Sequence, residues 1–354
     1  MCTGPLIRAE TFETYTNKKG GISYKVEWLE RDMFDKEIGQ KKNALYDILP
    51  RYRRVTPVGC GQCHECLLNY SRNWATRLML HKDNGYFDGE KYGPYPEGTC
   101  WFITLTYASE YLKTHHTVDT ETGELYEGTT VWIKDMQDFW KRMRKHFPQY
   151  KISYFECGEY GHNPDGTSRP HYHAIVFGVP FDQTQFKKIG MCEAMKTPRW
   201  TSKELEDIWG MGIVDIGRVT WESCGYVARY ALKKVDGYNK EWYQMQGRLP
   251  EFVAMSKGFS KSYFEKNKYK MYETDSVPIV NKKTGANVKP PLYFDRMLKE
   301  TDPDLYDAVK RARRKQAESN ELILRNQTDL TPEERRRVAE ERMERVIKDL
   351  RKEV

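Results

Sequence analysis

An α+β fold, an antiparallel sheet flanked by helices, is the class this chain predicts, and three observations carry the prediction. Short segments rich in β-branched and aromatic residues recur at residues 22–28, 101–107, 151–157, 169–178 and 212–219, with the composition and length of strands. Segments with apolar residues at helical spacing alternate with them, most clearly at 135–147. The strand at 151–157 also runs through a turn at 161–168 directly into the next strand, which makes the two antiparallel neighbours. An antiparallel sheet with helices packed on it accommodates this order of elements.

Residues 1–100 form a mixed N-terminal segment with a strand at 22–28 and a basic run, Arg51-Tyr52-Arg53-Arg54. Within it, Cys60-Gly61-Gln62-Cys63-His64-Glu65-Cys66 sets three thiols at three-residue steps, ahead of a helix over 67–82 that carries Arg72, Trp74 and Arg77. Three thiolates in so short a span suit a tetrahedral zinc ion, structural in role once a fourth ligand closes the site. His64 sits awkwardly between the thiols, so Cys2 is the preferred fourth ligand. An iron-sulfur cluster would want a further cysteine after Cys66, near where Tyr70 stands. Cys100, Cys157, Cys192 and Cys224 are scattered and suit small buried apolar positions.

Residues 101–300 form the core. The strand at 101–107 puts Thr104 and Thr106 on one face. Residues 107–130 read as a hairpin or exposed loop in which His115 and His116 are solvated. The helix at 135–147 has an apolar stripe of Met136, Phe139, Trp140 and Met143. Around the rest lie Lys141, Arg142, Arg144 and Lys145, which face either solvent or nucleic acid. In the strand Arg169-Pro170-His171-Tyr172-His173-Ala174-Ile175-Val176-Phe177-Gly178, period-two geometry places His171 and His173 on one face. Two imidazoles on a rigid strand chelate a divalent metal. After a helix at 202–209 and the strand at 212–219, a helical stretch over 225–234 sets Tyr226 and Tyr230 one turn apart on one face. Their structural alternative is a half-buried aromatic stripe. Residues 301–354 form a charged helical tail, in which Thr331-Pro332-Glu333-Glu334 starts a helix. Its narrow apolar stripe is Val338, Met343, Val346, Ile347 and Leu350.

Composition narrows the partners. The 58 lysines and arginines exceed the 51 aspartates and glutamates, giving a net charge of +7, which favours a polyanion. The 24 tyrosines and 9 tryptophans suit stacking on the bases of single-stranded DNA. Eight cysteines in 354 residues are no disulfide scaffold. No apolar run approaches the ~20 residues that cross a bilayer, and the N-terminus lacks a secretion pattern, so a soluble, cytoplasmic protein is expected. A tyrosine hydroxyl attacks a phosphodiester when a divalent metal polarises the phosphate. Paired histidines and paired tyrosines together therefore fit DNA nicking. A third metal ligand is needed, and Glu159 and Glu156 both lie on the preceding segment, Glu156 having a salt-bridged surface residue as its alternative reading.

These residues resemble the HUH endonucleases (histidine, hydrophobic residue, histidine), and more narrowly the rolling-circle replication initiators of microviruses, small single-stranded DNA phages. His171-Tyr172-His173 looks like the HUH motif, Tyr226-x-x-x-Tyr230 with Lys233 like the two-tyrosine motif, and Phe102-Ile103-Thr104-Leu105-Thr106-Tyr107 like the upstream strand motif. Gly158-Glu159-Tyr160-Gly161, the cysteine cluster and Pro291-Leu292-Tyr293-Phe294-Asp295-Arg296 extend the likeness over most of residues 1–300. The resemblance implies histidines on a central strand with the tyrosine helix lying across them. It selects Glu159 as the third ligand of Mg2+ or Mn2+ and supports an N-terminal cysteine, Cys2, beside Cys60, Cys63 and Cys66 on zinc.

It further implies a site-specific nickase and ligase that cuts single-stranded DNA at a replication origin, holds a 5′ phosphate on Tyr226 or Tyr230, and rejoins ends by transesterification. Lys233 would steady phosphate or phenolate charge, and Thr104, Thr106, Arg229 and Lys234 would contact DNA, with host polymerase and helicase as partners in the cytoplasm of a bacterial cell. A metal-dependent amidohydrolase would need further histidines, and none follows His173. A non-catalytic zinc-containing DNA-binding protein and an HUH transposase or plasmid initiator are the alternatives.

Overall fold

Seven strands pair into one central sheet, antiparallel at every junction, and helices cover both of its faces. The α+β class expected from the sequence is the class observed. This computed structural model describes residues 6–17, 20–29, 52–61, 63–91, 93–161, 169–192, 196–233, 240–280, 285–330 and 332–352. Two compact units divide the chain, one made of Met1–Asn69 with Gln327–Val354, the other of Tyr70–Asn326.

The first unit contains a three-stranded antiparallel sheet in which β1 (Leu6–Thr16) lies between β2 (Ile22–Leu29) and β3 (Arg54–Val58). Arg53, from the basic run, bonds Glu10 at 3.1 Å and lies 3.9 Å over the Tyr24 ring. Helix α1 (His64–Asn84) starts within the cysteine cluster, as its spacing predicts.

The second unit is built on the central sheet. Its strands are β4 (Cys100–Tyr107), β5 (Ser153–Tyr160), β6 (Pro170–Phe177), β7 (Lys187–Cys192), β8 (Thr197–Thr201), β9 (Gly212–Arg218) and β10 (Phe252–Met255). They run in the spatial order β7-β8-β9-β4-β6-β5-β10. The predicted neighbours on either side of the 161–168 turn pair as β5 and β6.

One face of this sheet packs on helices α2 (Ile133–His146) and α3 (Lys203–Trp209), burying Trp101, Ile103, Leu105, Tyr172, Ala174 and Val176 with the predicted stripe of Met136, Phe139, Trp140 and Met143. Ser202 caps α3 by accepting from the Leu205 amide, and Gly210 ends it in the left-handed region at φ 69°. The basic residues of α2 have local partners: Arg142 donates to the carbonyls of Ile208 and Trp209 at 2.7 and 2.9 Å, tying the two helices, while Lys141 pairs with Asp138.

The opposite face packs on α1 residues Trp74, Ala75 and Leu78 and on α4 (Trp221–Lys233), enclosing Cys100, Phe155, Cys157, Ile175, Phe177, Cys224, Val227 and Ala228. Three of the four scattered cysteines are thus buried apolar residues, and Cys192 is half-buried.

A third apolar cluster joins α5 (Lys261–Glu273) and α6 (Leu292–Thr301) through Tyr263, Phe264 and Phe294. Here the Pro291–Arg296 motif is structural. Asp295 receives the Tyr272 hydroxyl at 2.9 Å and, with Asp275, clamps Arg313 of α7 (Pro303–Gln327). The final helix, α8 (Pro332–Lys352), begins at the predicted proline. Residues 114–118 and 125–129 form the expected hairpin, where His116 stands exposed beside Glu127 at 3.4 Å.

Candidate active site

Strand register assembles the first cluster. On β6, His171 lies opposite Glu159 of β5 and Thr106 of β4, and His173 lies opposite Cys157 and Thr104. Alternation then aims His171, His173 and Glu159 to one face and turns Tyr172 to the other. Tyr172 is fully buried there, its hydroxyl 2.6 Å from that of Tyr107 and accepting from the Trp132 amide at 2.7 Å. The middle residue of the His-x-His motif thereby pins the strand from behind.

The Oε1 atom of Glu159 stands 2.9 Å from Nε2 of both histidines. Burial pushes the Glu159 carboxyl up, but hydrogen bonds from His171 and His173 and their charge outweigh it and hold the group at about 2, so it is an anion at neutral pH. Burial lowers His173, partly offset by its hydrogen bond to Glu159. On the far side of each ring, His171 Nδ1 bonds the Arg169 carbonyl at 2.9 Å and His173 Nδ1 bonds the Thr104 hydroxyl at 2.8 Å. Two imidazoles and a carboxylate, their ligand atoms all within 4.8 Å, form a donor set that suits a divalent cation, and outer hydrogen bonds on Nδ1 are the usual support for histidines that bind through Nε2. The donor set fits the divalent ion expected from the sequence.

Glycines make room for this arrangement. A Cβ on Gly161 would lie 3.1 Å from Cε1 of His171, and one on Gly158 would lie 2.5 Å from the Phe252 ring and 3.0 Å from the Tyr172 ring. Both glycines of the Gly-Glu-Tyr-Gly turn are therefore sites of close ring packing.

Helix α4 brings Tyr226 to the cluster. Its ring meets the His173 ring edge-on at 5.2 Å between centroids and the Phe102 ring at 6.0 Å, while Phe102 stacks on His173 at 5.5 Å and 18°. Arg229 lies 5.8 Å over the Tyr226 ring. Thr106 is half-buried on the same sheet face. Tyr230 and Lys233 belong to α4, but their side chains lie outside the described residues, as do all of Lys234 and Cys2.

Glu156 corrects the reading of a salt-bridged surface residue. It is 2 % exposed on the opposite sheet face, where its Oε2 accepts from the Trp140 indole at 2.5 Å. Burial pushes its carboxyl up to about 8, against the Trp140 bond and the charge of Arg144. It cannot share a metal with histidines that face the other way. Sequence reasoning missed Thr104 as a partner of His173 and missed Phe102 as the stacking residue. Their strand spacing was visible, but the register across to β6 was not.

A second cluster occurs among the described residues. Cys60, Cys63 and Cys66 are half-buried, carry no disulfide and hold their sulfur atoms within 4.8 Å of one another. The Cys63 amide donates to Cys60 Sγ at 3.2 Å, and Gly61 between them adopts φ 76°. A tight turn that aims an amide at a sulfur favours thiolates, and three converging thiolates could hold a metal such as zinc.

The family described as replication-associated protein ORF2 matches residues 100–235, which span both histidines and the α4 tyrosines. Among curated proteins, the chain is 33 % identical over 277 residues to replication-associated protein ORF2 of Spiroplasma virus 4, covering 77 % of this chain and 78 % of that one. It is 27 % identical to replication-associated protein VP4 of Bdellovibrio phage phiMH2K, covering 77 % and 80 %, and 25 % identical to replication-associated protein ORF4 of Chlamydia phage 1, covering 72 % and 58 %. No solved structure matches at comparable significance. No helix among the described residues is long and apolar enough to cross a membrane.

Proposed function

The chain belongs to the family of phage replication-associated proteins, and on that premise we propose that it initiates rolling-circle replication by nicking single-stranded DNA at an origin. The observation that carries this reading is the approach of the Tyr226 ring to within 5.2 Å of His173, beside the Glu159, His171 and His173 donor set. It gives the helix tyrosine a nucleophile's place and disfavours the bland reading of an aromatic stripe.

Glu159, His171 and His173 would hold Mg2+ or Mn2+, which when bound polarises a phosphate oxygen. The phenol oxygen of Tyr226, or of Tyr230 one turn on, forms a bond to phosphorus as the bond to the 3′ oxygen breaks. The phenol gives up a proton and the departing 3′ oxygen takes one. The products are a free 3′ hydroxyl for a polymerase and a 5′ phosphate on tyrosine. One phosphodiester replaces another, so the reverse attack rejoins ends, and two tyrosines permit a second cut while the first still holds DNA. Arg229, Thr106, Lys233 and Lys234 are proposed to steady DNA phosphates or the developing charge. Zinc on Cys60, Cys63 and Cys66, with Cys2 as fourth ligand, would be structural.

The test incubates the protein with single-stranded DNA from its own genome, with and without Mn2+, and resolves nuclease-treated protein on a denaturing gel. A metal-dependent adduct that is lost in the Tyr226→Phe/Tyr230→Phe double variant and in His171→Ala is expected. Tight DNA binding with no adduct would favour the non-catalytic DNA-binding protein.

A further inference from the structure

We propose that Thr104 is a positioning residue that holds His173 in its metal-binding tautomer; this rests on the reading of Glu159, His171 and His173 as a metal site. The two histidines bind through Nε2 only if Nδ1 keeps its proton, and each Nδ1 needs an acceptor to keep it there. His171 has the Arg169 carbonyl at 2.9 Å, a main-chain acceptor that no side-chain substitution removes. His173 has the Thr104 hydroxyl at 2.8 Å, an acceptor supplied by a side chain. A hydroxyl accepts and donates, so it can take the Nδ1 proton and pass its own hydrogen onward.

Three features make Thr104 suited to this role. It lies directly opposite His173 in the β4–β6 register, so the strands set the approach. Its β-branched side chain has few rotamers. The His173 ring is separately held by Phe102 stacked on it and Tyr226 at its edge, so loss of the hydroxyl changes which nitrogen carries the proton and leaves the ring in place. Thr104 thus acts on the metal site from behind His173, in place of the DNA contact expected of it.

The test compares the full chain with Thr104→Val, which keeps the shape and removes the acceptor, and Thr104→Ser, which restores it. Mn2+ alone is titrated calorimetrically into each protein. Nitrogen NMR of histidine-labelled protein with Mg2+ reads the His173 tautomer, and circular dichroism checks folding. Thr104→Val is expected to lose roughly 10- to 100-fold in Mn2+ affinity and the Nδ1–H signature of His173, and Thr104→Ser to keep most of both. Parental Mn2+ affinity and an unchanged tautomer in folded Thr104→Val would overturn the proposal while leaving the metal site standing. Failure of the parent chain itself to bind Mn2+ would overturn the metal reading and this proposal with it.

Discussion

Glu156 and Glu159 lie on one strand, are equally buried at 2 % exposure, and titrate in opposite directions, to about 8 and about 2. Burial pushes both carboxyls up. The difference is the face each meets: Glu156 has one indole N–H and an apolar wall, whereas Glu159 has two imidazoles aimed at one oxygen. A neutral acid and a fixed anion result from a strand's alternation and not from burial as such. The same division separates the two sheet faces, one devoted to packing under α2 and α3, the other to the cluster beside α4.

The largest effect expected from this contrast is on metal binding. Glu159→Gln keeps the shape, removes the charge, and should lower Mn2+ affinity and DNA adduct formation by ~100-fold or more, read by calorimetry and gel. Glu156→Gln should leave both at parental values, and equal losses in the two variants would erase the distinction between the faces.

Substitution of the two neighbouring glycines sharpens the same contrast. Gly158→Ala drives a methyl against the Phe252 and Tyr172 rings and should cost about 1–3 kcal/mol of stability, measured by denaturant unfolding. Gly161→Ala presses on the His171 ring and should weaken Mn2+ binding with a smaller stability cost. Tyr172→Phe strips a partner from the Tyr107 hydroxyl and the Trp132 amide, with an expected cost of about 1–3 kcal/mol and no change in metal affinity.

The smallest effect is one of pH. Because folding raises Glu156 from 4.5 to about 8, its contribution to stability is fully present below pH 4.5 and is lost as pH rises through about 8. Glu156→Gln does not titrate, so its Tm should gain on the parent's Tm steadily across that window. A constant difference between the two would show that Glu156 is ionised throughout.

Legibility in the sequence followed the range of the interaction. Cys60, Cys63 and Cys66 are close in sequence, and their convergence could be read from spacing alone. His171 and His173 share a strand face by alternation, and Tyr226 was legible as a helix residue. What alternation cannot supply is register. The pairing of Thr104 with His173 spans two distant strands, so Thr104 was read as a DNA contact and its bond to the ring was not foreseen. Glu159 was chosen over Glu156 from a family likeness, and the structure adds the physical reason: Trp140 of α2 covers the face to which Glu156 points. Arg142 likewise read as a charge on an open helical face because its acceptors, the carbonyls ending α3, are remote in the chain.

Peptide mapping tests the central claim most directly: the protein is incubated with single-stranded DNA and Mn2+, trimmed with nuclease and protease, and analysed by mass spectrometry. The account predicts nucleotide on the peptide that contains Tyr226 and Tyr230, present in the parent and Glu156→Gln and lost without metal or in Glu159→Gln. Nucleotide on no tyrosine, or an undiminished adduct in Glu159→Gln, would contradict it.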